Sequence, residues 1–314
     1  SFRVGARHRA RMRSPVGTVG LPPVTTILLI RHGDRHDYAI GKEPWKLRCK
    51  ASDTLVLSDP PLSALGHSQA RSLASYFVGS TGRRVDRILC SPYLRALQTA
   101  QPLAHASGLP LLVDFVAAEA HQMPSALPPI DARLPYVPEI DEGHVPHMRS
   151  VVTDGARGKE PGVEPRLEHM RRMLLLASLL RTDPECVGKC VAVVTHAASV
   201  ALVAALACTP SLEAAGKLAP CGLCELSLPS DGGPATVVSR GDDGSAYLPG
   251  AAAGATAAWG FADSAEPLES AERMWQEALL LGPTDLAALG PQPDPTDPQA
   301  GRRGAAQWAK VDEV

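Results

Sequence analysis

The sequence predicts an α/β fold: a three-layer αβα sandwich around a mostly parallel central sheet. Three observations lead there. Short apolar runs rich in β-branched residues, at 25–30, 85–90, 111–115 and 191–194, alternate along the chain with segments of helical periodicity. The runs lack a polar face, as strands covered on both sides do. Two of them stop abruptly at a histidine, His32 and His196, at the strand end where open α/β sheets place their ligands.

The elements follow in order. Residues 1–23 form a basic arm with Arg3, Arg7, Arg9, Arg11 and Arg13, and no acid precedes Asp34. Such a segment reads equally as a disordered solvated arm or as an organelle transit peptide. The first strand, 25–30, follows Pro22-Pro23, and a polar loop is expected from there to about Pro61. Ser63 is a candidate N-cap for a helix with Leu65, Ala70, Leu73 and Phe77 on one face. After the second strand, Ser91-Pro92 opens a helix carrying Leu94, Leu97 and Ala100, which Pro102 is expected to kink or end. The third strand ends near Phe115. From 121 to 165 the periodicity stops amid Pro and Gly, and the length suggests an inserted lid or substrate loop.

Order returns in an amphipathic helix over 166–180, with Leu167, Met170, Leu174 and Leu175 facing inward. The run 191–194 is the strongest buried-strand signal. An apolar helix is expected over 200–207, and two strands at 223–228 and 235–239 flank a Ser-Asp-Gly-Gly turn, a hairpin signal. The domain thus spans 24–262, and 263–314 adds a helix and a Pro-rich disordered tail.

Bulk properties narrow the function. Charge is balanced, with 31 Lys+Arg against 33 Asp+Glu, and aromatic content is 4%, so neither a nucleic-acid nor a base-stacking surface is expected. No apolar stretch approaches the roughly 20 residues of a membrane helix, so no membrane partner is expected. Seven cysteines, an odd number in apolar surroundings, suit a reducing compartment. The expected location is cytoplasmic, or an organelle if the arm is a transit peptide. The Cys221–Cys224 pair, with Cys186 and Cys190, reads as buried thiols rather than zinc ligands. His144 and His147, beside Asp141 and Glu142, read as substrate contacts or exposed side chains rather than a metal site. No metal or cofactor is called for.

Parallel neighbouring strands would bring His32 and His196 together with Arg31, Arg35 and Arg95. Guanidinium forks and a helix N-terminus suit phosphate oxygens. Surrounding cations would disfavour protonation of His32 and keep it nucleophilic. Histidine attack on phosphorus would divide one difficult step into two, and a carboxyl group would protonate the leaving oxygen and then activate water.

At these residues a resemblance becomes specific. Arg31-His32-Gly33, then Pro61-Leu62-Ser63-Ala64-Leu65-Gly66, then Ser91-Pro92 with Arg95, Gln98, Thr99 and Ala100, then Thr195-His196, resemble in order the motifs of the histidine phosphatase superfamily. This family has the phosphoglycerate mutase-like fold. Within it, Arg35, Asp37, Gly41-Lys42, Trp45 and the segment 254–259 resemble one branch, the suppressor of T-cell receptor signalling and ecdysteroid-phosphate phosphatases. The resemblance covers about residues 24–262 and implies a metal-independent phosphomonoester hydrolase working through phosphohistidine. It assigns His32 as nucleophile, Arg31, Arg35, Arg95 and His196 to the phosphoryl oxygens, and Glu119 as the general acid. Glu139, Asp141, Glu142 and Asp34 are substitutes for Glu119. The sequence departs from the family at Ala197, where Gly is usual.

The implied partner is a phosphorylated substrate, either phosphotyrosine protein or a small metabolite, and the oligomeric state is left open. Specificity is expected in residues 36–60 and 121–165. Two alternatives remain. One is a phosphoglycerate mutase or sugar-bisphosphatase of the same fold, which Arg35 and Asp37 disfavour because those enzymes usually carry Ser and Asn there. The other is a non-catalytic interaction module, which the intact Arg31, His32, Arg95 and His196 set disfavours.

Overall fold

A computed structural model of the chain describes residues 24–80, 84–120, 127, 130–149, 151, 163–244, 247–248 and 256–280. Its centre is a six-stranded sheet in the order β3-β2-β4-β1-β5-β6. The strands are β1 (Thr25–Arg31), β2 (Arg87–Cys90), β3 (Leu111–Val113), β4 (Cys190–Thr195), β5 (Leu223–Leu228) and β6 (Thr236–Ser239). The first four run parallel, and β5 and β6 form the expected antiparallel hairpin against β1. Side chains of β1 alternate between two cores. Leu28 and Ile30 face α3 (Ala64–Ser75) and α4 (Leu94–Ser107). Ile27 and Leu29 face α5 (Arg166–Thr182), α6 (Ala201–Leu206) and α7 (Leu268–Leu279). This is the three-layer arrangement, with both faces of the sheet covered.

The structure corrects several expectations. The loop expected up to Pro61 contains two helices, α1 (His36–Ile40) and α2 (Lys42–Lys50). Pro44 lies in the first turn of α2, where its missing N–H costs no helical bond, and Trp45 anchors the helix by donating its indole N–H to Leu57 O at 3.1 Å. Helix α4 runs on through Pro102, held by buried Leu103 and Ala104, and ends at the left-handed Gly108. The inward face of α5 is turned from the one read in the sequence. Met170, Met173, Leu176 and Leu180 are buried together with His169 and Arg172, whereas Leu167, Leu174 and Leu175 are only partly covered.

Helix α7 packs on α5 and buries Trp275 completely, so the folded unit extends past 262. Of the segment read as an insert, residues 130–149 lie against the β3 edge, where Ile140 bridges Leu111. None of residues 130–149 lines the cleft described below. The basic arm and the Pro-rich tail fall outside the described residues. Among the described residues no helix is long and apolar enough to cross a membrane.

Candidate active site

Register places the two histidines side by side. Strands β1 and β4 pair with Arg31 opposite Thr195, so the next residue on each is a histidine. The ring centroids of His32 and His196 lie 5.2 Å apart at 61°. Neighbouring β2 pairs Cys90 with Val194, which brings Ser91 to the same edge.

The motif glycines have a packing reason. A methyl group on Gly33 would sit 2.9 Å from Gly66 O, and one on Gly66 would sit 2.2 Å from Asp34 O, so the loop after β1 and the start of α3 touch backbone to backbone. Ser63 caps α3 by accepting from Gly66 N at 3.1 Å, and donates to Asp34 Oδ2 at 2.6 Å. Asp34 Oδ1 accepts from Thr256 N at 2.7 Å. Asp34 is therefore a buried tie between three segments and is not available as the acid. On α4, Thr99 Oγ1 accepts from Gly33 N and Gln98 Oε1 from Leu62 N, so these residues scaffold the histidine loop.

His32 is 1% exposed, and its Nδ1 lies 2.8 Å from its neighbour's carbonyl, Gly33 O. A carbonyl can only accept, so Nδ1 carries the proton and Nε2 keeps its lone pair. Burial, then Arg95, Arg31 and Arg35, hold the ring's pKa well below 6.5. His196 is lowered in the same way by burial, Arg95 and His32. Its Nε2 lies 2.7 Å from Ser91 Oγ, and its Nδ1 lies 3.3 Å from Glu119 Oε2.

Arg95, 2% exposed, stacks over Tyr93 at 4.5 Å and lies 3.6 Å from Glu119 and 3.8 Å from Asp59. Among the described residues its Nε and Nη1 have no hydrogen-bond partner, nor does Nε of Arg31. Buried guanidinium donors left open this way suit an anion that completes them. Arg31 is held in place by donating Nη1 to Leu218 O and Ala257 O, both at 2.7 Å, and burial lowers its pKa to about 10. Arg35 reaches the same cleft, but its Nε and Nη2 are taken up by Asp37 at 2.9 and 2.7 Å. Burial opposes its charge, and the two bonds and negative charge of Asp37 outweigh that and raise its pKa.

Five of the six residues singled out in the sequence, Glu119 among them, line one cleft, and the sixth, His196, is buried directly against His32 and Glu119. The substitutes do not. Glu139 accepts from Gln101 on the far side of α4, and neither it nor Asp141 nor Glu142 lines the cleft. His147 is not a substrate contact: it is bound to buried Asp114 at 2.9 Å, and His144 also lies outside the cleft. Among the described residues no disulfide joins any of the seven cysteines.

Ser91 and Trp259 stood in the motifs quoted above without an assigned role, and Tyr38 was not singled out. Nor was the buried pair of Arg172 and Glu164 behind Glu119. Tyr38, Arg172 and Glu164 carried no signal in the sequence. One atom from each of His32, Glu119 and His196 falls within 4.8 Å of the others, a spacing that a metal ion could also use. Open guanidinium donors on Arg31 and Arg95 beside them favour an anion instead.

Comparison with known proteins agrees with this geometry. Residues 27–122, which contain Arg31, His32, Arg95 and Glu119, match the model of the histidine phosphatase superfamily (branch 1). That segment of the chain carries the likeness to this superfamily. It is 31% identical over 122 residues to ubiquitin-associated and SH3 domain-containing protein A of Mus musculus, covering 31% of this chain and 19% of that protein. It is 30% identical over 180 residues to the transcription factor tau 55 kDa subunit of Saccharomyces cerevisiae, covering 56% of this chain and 39% of that one. The chain therefore matches well under half the length of these curated relatives. Among solved structures, the ecdysone phosphate phosphatase of Bombix mori, in complex with tungstate, shares the fold with a TM-score of 0.53 and 22% identity. The match covers 69% of this chain and 92% of that one.

Proposed function

We propose that the protein is a metal-independent phosphomonoester hydrolase acting through a phosphohistidine at His32. One observation carries the reading: His32 has Nδ1 fixed by Gly33 O, its Nε2 lone pair free, and arginine donors without partners around it. Arg31, Arg95 and His196 hold the three non-bridging oxygens, with Arg35 at the rim. Nε2 forms a bond to phosphorus as the ester oxygen departs with a proton from Glu119. Water, losing a proton to Glu119, then breaks the N–P bond and releases inorganic phosphate. The likeness in fold to an ecdysone phosphate phosphatase supports a small phosphorylated metabolite over a phosphotyrosine protein as substrate.

The test is hydrolysis of 4-nitrophenyl phosphate with EDTA present. We expect full activity with the chelator and a loss of about 1,000-fold or more in His32→Ala. Activity that survives in that variant, or that EDTA removes, overturns the reading. The yeast relative, a transcription factor subunit by name, supports a second reading as an interaction module. Absence of hydrolysis across aryl, sugar and peptide phosphates, with the fold intact, would favour that one.

A further inference from the structure

We propose that Arg172, on α5 and outside the reacting atoms, is the positioning residue that sets Glu119 for proton transfer. The inference rests on the assignment of Glu119 as acid made above. After β3 the chain leaves the sheet, makes one short 3-10 turn at Phe115–Ala117 and reaches Glu119. No strand or long helix takes up its carbonyls, and buried carbonyls need partners. Arg172, 1% exposed, supplies them. Its Nη1 donates to Val116 O at 3.1 Å and Ala118 O at 2.7 Å, and its Nη2 to Glu119 O at 3.1 Å. Of the other two carbonyls of the turn, Phe115 O accepts from Ala118 N at 3.0 Å and from Arg172 Nη1 at 3.4 Å, and Ala117 O accepts from Thr195 Oγ1 at 2.6 Å, next to His196.

The guanidinium is itself fixed. Glu164 binds it in two places, Nε at 2.8 Å and Nη2 at 2.7 Å. His169 Nδ1 lies 2.9 Å from Nη2 and must accept, which puts the ring proton on Nε2 facing Ala198 O at 3.3 Å. Arg172 and His169, both buried, therefore join the Glu119 loop to the loop after His196. The Glu119 carboxylate lies 3.3 Å from His196 and 3.6 Å from Arg95, so a shift of this loop moves the acid relative to the phosphoryl group while leaving His32 in place.

The consequence depends on the leaving group. The weakly basic oxygen of 4-nitrophenyl phosphate departs with little help from an acid, whereas an alkyl phosphate needs the proton. The experiment compares kcat/KM, which reports the steps up to phosphorylation of His32 and not the later hydrolysis that also uses Glu119, for 4-nitrophenyl phosphate and a simple alkyl phosphate in wild type, Arg172→Gln, Glu119→Ala and the double variant. We expect Arg172→Gln to lose about 100-fold on the alkyl ester and fewer than about 5-fold on the aryl ester. The double variant should be no worse than Glu119→Ala alone. Should Arg172→Gln not fold, Arg172→Lys, which keeps a charge beside Glu164 but reaches fewer carbonyls, is measured instead. Equal losses on both esters, or additive losses in the double variant, overturn the proposal. A Glu119→Ala profile that is flat across leaving groups removes Glu119 as acid and the proposal with it, and His32→Ala separates that failure from failure of the phosphohistidine reading.

Discussion

His32 and His196 occupy equivalent places, one residue beyond the ends of two paired parallel strands, yet their surroundings differ. His32 bonds to its own neighbour's carbonyl, which costs nothing beyond the turn and leaves Nε2 as a base without a proton. His196 bonds to a serine 105 residues away and turns its other nitrogen toward a carboxylate. In the proposed mechanism the same residue type at the same sheet edge thus serves as nucleophile in one case and donor in the other. The partner of the second ring nitrogen makes the difference.

The sharpest way to break the comparison is to remove each ring in turn. His196→Ala removes one donor from the phosphoryl oxygens, and we expect kcat to fall about 100- to 1,000-fold. Label from a radioactive phosphoester should still reach the protein, slowly, in an alkaline rapid quench. His32→Ala should transfer none. Loss of labelling in both variants would erase the distinction.

What the two rings share gives the next effect. Both are held neutral by burial and then by Arg95, as His169 is held at about 4 by burial and Arg172. A histidine with a lowered folded pKa takes up its proton more readily when unfolded. Its contribution is intact above about 6.5 and declines as pH falls below that value. For His169, half-way between 6.5 and 4, the decline reaches about 2 kcal/mol at pH 5. His147 has the opposite sign. Its bond to Asp114 raises its pKa, so its contribution is full below 6.5 and is lost as pH rises through the raised value. Urea melts at pH 7 and pH 5 should show stability falling on acidification. The fall should be blunted in His169→Gln and steepened in His147→Gln. A wild-type midpoint that does not move would mean the buried rings are not held neutral.

The same two regions show what a sequence reveals. The strands and both histidines were legible because their signal is local: an apolar run and the polar residue that ends it. Glu119 was placed by resemblance alone, since a carboxylate between alanines says nothing about a turn held from α5. Arg172 and His169 read as the wet side of an amphipathic helix. They are buried because carbonyls more than 50 residues earlier need donors there, a long-range demand that periodicity does not register. Helices α1 and α2 were missed because Gly41 and Pro44 read as loop punctuation, while the contact that anchors them, Trp45 to Leu57, spans 12 residues.

The smallest effect probes the bond that makes His196 a donor. Ser91 Oγ accepts from Tyr93 N at 3.4 Å and lies 2.7 Å from His196 Nε2, so its own proton is free to go to that nitrogen. The ring proton then sits on Nδ1, toward Glu119 and the cleft. Ser91→Ala removes the donor, and a proton on Nε2 would have no acceptor in this buried position, so the two tautomers come closer in energy. The bond is worth about 1 kcal/mol, which corresponds to roughly a fivefold loss in kcat. Nitrogen NMR of the His196 ring should show Nδ1 protonated in wild type and a mixture in Ser91→Ala, with His32 unchanged. A wild-type ring protonated on Nε2 would reverse the role given to Ser91 and with it the account of how the second histidine differs from the first.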